Sequence, residues 1–361
     1  MKVGLIGLPI VGKTTFFNLL TNQKMETSSF QSGKVEAHLG LAQVPDERVA
    51  FLSEQYHPKK TTYAQIEVID VPGLVSGSSE GLGSGNQFLS NIRQVDCLVH
   101  IVRAFADEHV MHAEGSIDVI RDIENIKTEL LLADLQMVEG RIERIASGKK
   151  ILKEQEAEST VLKKLLALFE EGVSFSDATL SDEESQTIEH LDFLTDKPVV
   201  IVVNVDDMQL VEGYEQQDEI VAHCRDHGYP VFQISAKAEM EISELDPQDR
   251  AEFMEELRIE TSGVDVLAKT IYERLNLISF LTAGEDEVRA WTIRKGLNAR
   301  SAAGKIHSDI ERGFIRAEVV SFADFKEAGS MAKAKELGKF RLEGKEYIVQ
   351  DGDIVNFRFN V

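Results

Sequence analysis

Apolar residues follow two distinct patterns along this chain. Short continuous runs rich in Val and Ile occur at 2–6 (KVGLI), 65–69 (QIEVI), 97–102 (CLVHIV), 199–203 (VVIVV) and 230–234 (PVFQI). A strand buried on both faces reads as such a run rather than as alternation. Helical stretches between the runs, the first at 13–22, supply the crossovers of a parallel sheet. The fold class expected is therefore α/β, a doubly wound and mostly parallel sheet. From about 117 the pattern changes. "DIENIKTELLLADLQMVEGRIERI" and "ILKEQEAESTVLKKLLALFEE" place Leu, Ile and Val at helical spacing among many charges, with a polar break at 146–150. Two helices joined there form an antiparallel hairpin whose apolar stripe is their mutual seam; the competing reading makes that stripe a partner-binding face. "DKPVV" at 196–200 leads back to the sheet. After "ISFLTAG" (278–284), short strands and one helical stretch at 322–338 predict a small, separate, mainly β unit. The boundaries implied are 1–120 and 188–277 for the two parts of the sheet domain, 121–187 for the helical insert and 278–361 for the C-terminal unit.

Charge narrows the partners. The chain carries a formal −23, which argues against capture of nucleic acid or anionic membrane by the whole surface. Residues 278–361 hold 14 Lys/Arg against 13 Asp/Glu, so the rest accounts for −24 and only the C-terminal unit is not repelled by a polyanion. No run approaches the roughly 18 apolar residues of a membrane span, and "MKVGLIGL" lacks the cleavage site of a signal peptide. A cytoplasmic protein with no membrane partner is expected, as a monomer. Cys97 and Cys224 stand far apart in sequence and read as buried small hydrophobes.

Chemistry begins at Gly7–Thr14, "GLPIVGKT", which fits G-x-x-x-x-G-K-[ST] between a strand and a helix. Gly7 and Gly12 let the backbone bend around phosphate, and the N–H groups of Leu8, Pro9's neighbours Ile10 and Val11, and the helix start at Lys13–Thr15 point at the anion. Lys13 would reach the β- and γ-phosphates, and the Thr14 hydroxyl would ligate Mg²⁺. "DVPG" at Asp70–Gly73 follows the strand 65–69; Asp70 can hold Mg²⁺ and the Gly73 N–H can sense the γ-phosphate. "NVDD" follows 199–203, and its Asn204 and Asp207 keep the spacing of an N-K-x-D base-reading loop, with Val205 where Lys would pack over the base. Ser235, Ala236 and Lys237 ("SAK") follow 230–234 and complete the set. Four pieces in this order on strand ends predict a Mg²⁺-dependent nucleoside triphosphatase. A nucleotide kinase is disfavoured because no basic lid accompanies them.

With these motifs, the stretches "DVPGLVSGSSEGLGSGNQFLSNIRQVDCLVHIVRAF" (70–105) and "IRDIENIKTELLLADL" (120–135), and the C-terminal "AAGKIHSDIERGFIRAEVVSFADF" and "LEGKEYIVQDGDIVNFRFNV", the chain resembles the YchF/Obg-like ATPases over essentially its whole length. The resemblance implies a P-loop domain interrupted by a helical coiled-coil insert and followed by a TGS-type β-grasp domain. It further implies slow hydrolysis, ATP preferred over GTP, and association with the ribosome or its RNA through the TGS-like domain and the insert. The family lacks the Gln that many small GTPases carry after D-x-x-G, and Leu74 agrees. By the same resemblance the attacking water is oriented by a loop His, matched here by His112, with His109 nearby. Three positions depart from the family pattern. Ile10 replaces an Asn that can help hold a monovalent cation. Lys34 stands about where a Mg²⁺-sensing Thr is common. Asp207 replaces Glu and is the guanine-reading residue of GTPases. Two alternatives therefore stay open: an Obg-type GTPase, and a nucleotide-binding scaffold that hardly hydrolyses. In the C-terminal unit, "RKG" (294–296), Lys305, Arg312 and Arg316 are candidate RNA-phosphate contacts, whereas Trp291 reads as core.

Overall fold

The computed structural model describes residues 1–23, 38–71, 84–107, 110–148 and 151–360; Lys34, Gly73, Leu74 and His109 lie outside the described residues. The chain divides into two compact units, Met1–Gly40 with Glu67–Val264, and Leu41–Ile66 with Asp265–Val361. The first stretch runs β1 (Lys2–Ile6), α1 (Lys13–Thr21), β2 (His38–Val44), α2 (Glu47–Tyr56), β3 (Lys60–Thr62), β4 (Ala64–Asp70), α3 (Ser84–Arg93) and β5 (Cys97–Arg103). There follow α4 (Val119–Ala146), α5 (Lys153–Glu170), α6 (Asp182–Ile188), β6 (Val199–Asn204), α7 (Asp207–Glu212), α8 (Gln217–Asp226), β7 (Val231–Ile234), α9 (Ala236–Glu244) and α10 (Pro247–Glu256). The last part is α11 (Gly263–Arg274), β8 (Leu277–Ala283), β9 (Glu287–Arg294), α12 (Ala299–Ile306), α13 (Ser308–Arg312), β10 (Phe314–Ser321), α14 (Phe322–Ala328), α15 (Met331–Glu336), β11 (Arg341–Glu343) and β12 (Asp353–Phe359).

The first unit is built on a sheet of order β2-β4-β1-β5-β6-β7. The pairs β1/β4, β1/β5, β5/β6 and β6/β7 are parallel, as the continuous apolar runs require. β5 is buried at every residue. With β4 on one side of β1 and β5 on the other, the crevice for a ligand lies at the carboxyl ends of these strands. β2 is absent from the apolar runs for a physical reason. Its large residues Leu39 and Leu41 face outward while Gly40 and Ala42 face in. A Cβ at Gly40 would come within 2.5 Å of the Thr21 side chain, so α1 and β2 approach too closely for anything larger.

The 28-residue α4 carries two packing faces in succession. Ile126, Leu130 and Ala133 join Ile6, Ile69, Val71 and Leu98 over the sheet. Further along, Leu131, Val138 and Ile145 meet Val161, Leu162, Leu165 and Phe169 of α5. Arg141 and Glu158 clasp across this helix pair in a two-pronged bond of 2.7 and 3.0 Å, and that bond holds the Glu158 carboxyl below its usual range. The buried Asp134 carboxylate accepts from the Leu194 and Thr195 N–H groups and the Thr195 hydroxyl, which fixes where the chain turns back into β6.

The second unit holds a sheet of order β11-β10-β12-β8-β9-β3. β8/β9 and β10/β12 are antiparallel, and β12 lies parallel to β8. The helix α12 packs Ala299, Ala302 and Ala303 against Phe280, Ile293 and Val319. Two antiparallel pairs joined through parallel first and last strands, with a helix on one face, make the β-grasp arrangement expected. Trp291 is part of this core's edge, its Nε1 donating to Thr282 Oγ1 at 3.0 Å and its ring covered by Arg289. Leu41–Ile66 also belong to this unit, although they precede most of the sheet strands in sequence. β3 pairs with β9, and Arg48 bonds Asp351 at 2.7 Å.

Candidate nucleotide-binding site

The loop between β1 and α1 is shaped by residues that tolerate a left-handed backbone. Gly7 has φ 145° and Gly12 φ 103°. A Cβ at Gly7 would lie 2.3 Å from the Ile101 carbonyl oxygen, and one at Gly12 would lie 2.5 Å from Asn204 Nδ2, so neither position accepts a side chain. Ile10 also sits at φ 62°, which costs a β-branched residue about 1–2 kcal/mol. Asn adopts this conformation more readily than Ile. Leu8 and Val11 are buried, while Pro9, Thr14 and Thr15 are half-buried. Among the described residues no side chain caps the start of α1, and its first turn holds no acidic residue. Its N–H groups are therefore left for an anion.

Lys13 folds back over this loop, its Nζ donating to the Gly7 carbonyl at 3.2 Å and the Leu8 carbonyl at 2.6 Å. Burial pushes the ammonium down to about 8, opposed by the charge of Asp70. Thr14 Oγ1 donates to Asp70 Oδ2 at 2.8 Å. Burial raises the Asp70 carboxyl, against the Thr14 bond and the charges of Lys13 and His38. A hydroxyl and a carboxylate side by side are hard oxygen donors of the kind Mg²⁺ takes, so the residues present fit that ion.

Asn204 ties the two ends of the crevice together. Its Nδ2 donates to the Val11 carbonyl at 2.9 Å, and its Oδ1 accepts from the Ala236 N–H at 3.1 Å. Asp207 accepts from Ser235 Oγ at 2.8 Å and lies 3.5 Å from Lys237 Nζ. Ser235 Oγ in turn caps α9 by accepting from the Ala238 N–H. The structure thus gathers the loop 7–15, Asp70, Asn204, Asp207, Ser235, Ala236 and Lys237 at the carboxyl ends of four strands. It does not bring the Val205 side chain to the site: that side chain is buried with Ile201, Val203 and Ile220, and only its main chain is left for a base. The neighbouring Met208 is 68% exposed and offers an apolar surface there instead.

His112 is held elsewhere than a solvated loop His would be. Its Nε2 lies 3.0 Å from the buried Asp122 carboxylate and its Nδ1 accepts from the Glu114 N–H, so both ring nitrogens are engaged. Around it, Arg103 donates to the Phe105 and Val110 carbonyls, and Arg121 to the Ser116 hydroxyl and carbonyl. The loop between β5 and α4 is pinned at both ends by arginines that motif reading passed over.

A second residue escaped the motifs. His100, on β5 beside Ile6, is 2% exposed, and its Nε2 has no hydrogen-bond partner among the described residues. Burial, then the charge of Lys13, pushes its pKa down to about 3, so it sits under the crevice as a neutral ring. Its signal was one histidine inside the otherwise apolar run "CLVHIV".

Residues 2–139 match the family described as "50S ribosome-binding GTPase", and residues 277–360 match the C-terminal YchF-GTPase family described as "Protein of unknown function (DUF933)". The chain is 44% identical to the ribosome-binding ATPase YchF of Bacillus subtilis (strain 168), over 100% of both chains. It is 43% identical to the ribosome-binding ATPase YchF of Escherichia coli O157:H7, over 100% of this chain and 99% of that protein. The solved YchF GTPase of Schizosaccharomyces pombe superposes with a TM-score of 0.84 at 32% identity, covering 99% of this chain and 97% of the other. A P-loop crevice with an N-x-x-D strut, in a chain similar to these proteins from end to end, is that of a nucleoside triphosphate hydrolase, and the chain belongs to the YchF family.

Proposed function

We propose that this chain is a Mg²⁺-dependent ATPase that prefers ATP to GTP, turns over slowly, and acts in the cytoplasm as a nucleotide-dependent switch on the ribosome. The observation that carries the reading is the cluster Lys13–Thr14–Asp70 closed by Asn204, in a chain whose full-length relatives are named ribosome-binding ATPases. Lys13 leaves its carbonyl partners for the β- and γ-phosphate oxygens, while the α1 N–H groups hold the phosphates in place. Thr14 and Asp70 hold Mg²⁺, which neutralises charge on those oxygens when bound.

Asp207, Lys237 and the main chain of Val205 border the base, with Asn204, Ser235 and Ala236 holding that border in place. His112 positions the attacking water once it exchanges Asp122 for the phosphate crevice. The helical insert (121–187) and the TGS-like domain (278–361) make the ribosomal contact, while the nucleotide-binding domain (1–120 and 188–277) lends residues 41–66 and 265–277 to the C-terminal unit. The chain acts as a monomer.

One observation favours a second reading. The Asp207 carboxylate has the chemistry to accept from guanine N1–H and N2–H₂, which would make the chain a GTPase. Calorimetric titration of the nucleotide-free protein with Mg²⁺-ATPγS and Mg²⁺-GTPγS separates the two, repeated with Lys13→Ala. Tighter ATPγS binding, lost in Lys13→Ala, is the expected result. Tighter GTPγS binding replaces the ATPase reading with the GTPase one, and no binding of either removes both.

A further inference from the structure

Away from the phosphate crevice, α4 and α8 bring together a second group of ligand-bearing side chains. Glu124, His223 and His227 each present one donor atom, and the three atoms lie within 4.8 Å of one another. His223 lies in the last turn of α8 and His227 is its C-cap, a four-residue spacing that puts both rings on one face. The rings are 4.5 Å apart. Glu124 reaches them from the second turn of α4. We infer that Glu124, His223 and His227 form a binding site for a borderline divalent transition cation, Zn²⁺ or a near relative such as Co²⁺.

Three features support the site. First, Glu124 Oε1 and His223 Nε2 stand 3.0 Å apart, both withdrawn from solvent, and among the described residues they face only each other. A cation between them would take both atoms as ligands in place of that contact. Ligands about 2.1 Å from a tetrahedral Zn²⁺ are about 3.4 Å from each other. The present spread, up to 4.8 Å, therefore needs a shift of up to about 1.4 Å, which the exposed His227 can make.

Second, His227 Nδ1 lies 2.9 Å from the His223 carbonyl. Nδ1–H donating there leaves the Nε2 lone pair for a metal, the usual second contact of a metal-ligating His. Tyr229 stacks on the same ring at 5.7 Å and holds its plane.

Third, two imidazoles and one carboxylate suit Zn²⁺ or Co²⁺ and not the all-oxygen shell of Mg²⁺ or Ca²⁺. Cys224, next to His223 in sequence, does not add a thiolate. It is buried among Val102, Ile201 and Val203, and burial pushes its thiol up to about 11. Three protein ligands leave a position for water. The competing account is a plain His223–Glu124 ion pair that needs no metal.

The test uses the untagged full chain, freed of metal with a chelator and titrated with Zn²⁺ in excess Mg²⁺, which covers the oxygen donors at Thr14 and Asp70. One equivalent of Zn²⁺ should bind, and Co²⁺ should give the visible bands of an imidazole-ligated tetrahedral ion. His227→Ala, His223→Gln and Glu124→Gln should each weaken Zn²⁺ roughly tenfold or more, with Asp70→Asn leaving it unchanged. Because His227 is exposed, His227→Ala should unfold at the parent temperature without metal, so lost binding there is not lost structure. No Zn²⁺ uptake by the parent, or uptake removed by Asp70→Asn and unaffected by His227→Ala and His223→Gln, overturns the assignment.

Discussion

At the phosphate end of the crevice, position is set by backbone: left-handed residues, carbonyls that hold Lys13, and a helix start with no cap of its own. At the base end, position is set by side chains on the surface, with Lys237 74% exposed and Met208 68% exposed. Substituting the first end strains the fold, whereas substituting the second changes only what is read. On the proposed function, phosphate recognition is therefore fixed with the architecture, and base preference is adjustable. Asn204 is the one side chain bonded to both ends, and it is where the contrast can be broken.

The largest effect is expected from Asn204→Ala. It strands the Val11 carbonyl and the Ala236 N–H in the interior, costing roughly 2–4 kcal/mol of stability and weakening both nucleotides together. A loss confined to one nucleotide, read by calorimetry and denaturant unfolding, would show the ends to be independent.

Next comes the pH response of Lys13. Its free-protein pKa is about 8, and phosphate oxygens raise it on binding. Below that pH the ammonium is already charged and affinity is flat. Above it, binding takes up a proton, and affinity falls by up to roughly tenfold per pH unit. Titrations in buffers of different ionisation enthalpy measure the proton directly; no uptake at pH 9 contradicts the assignment.

A smaller change is expected from Asp207→Asn. GTPγS binding should weaken roughly tenfold, with ATPγS little altered, because only guanine donates to that carboxylate. An equal loss for both nucleotides would move Asp207 from reading the base to supporting Ser235 and Lys237. The smallest effect, Ile10→Asn, relieves the left-handed strain and should raise stability by about 1 kcal/mol, visible as a higher melting temperature with nucleotide affinity near the parent value.

Much of this was legible in the sequence, and what was hidden was hidden for identifiable reasons. Five strands of the first sheet announce themselves as apolar runs, β5 being buried at every residue, and the phosphate loop does so by its glycines. β2 does not, because its large side chains point outward and its small ones inward. The left-handed Ile10 cannot be read from residue type, since Ile is among the last residues expected there. The pairing of His112 with Asp122 joins residues from a loop and a helix face whose approach only the folded chain defines. Likewise, the placing of 41–66 beside the C-terminal sheet depends on partners more than two hundred residues away.

That last placement bears on the order in which the protein is made. α2 and β3 leave the translation machinery early, yet the strand that β3 joins begins at Glu287 and the acid that Arg48 bonds is Asp351. Until the chain has emerged through Asp351, α2 and β3 lack these partners. The first unit needs nothing beyond Val264 and can fold while the second is still being synthesised. The insertion of an early segment into a late unit thus makes folding of the second unit a late event, with α2 and β3 waiting for their partners.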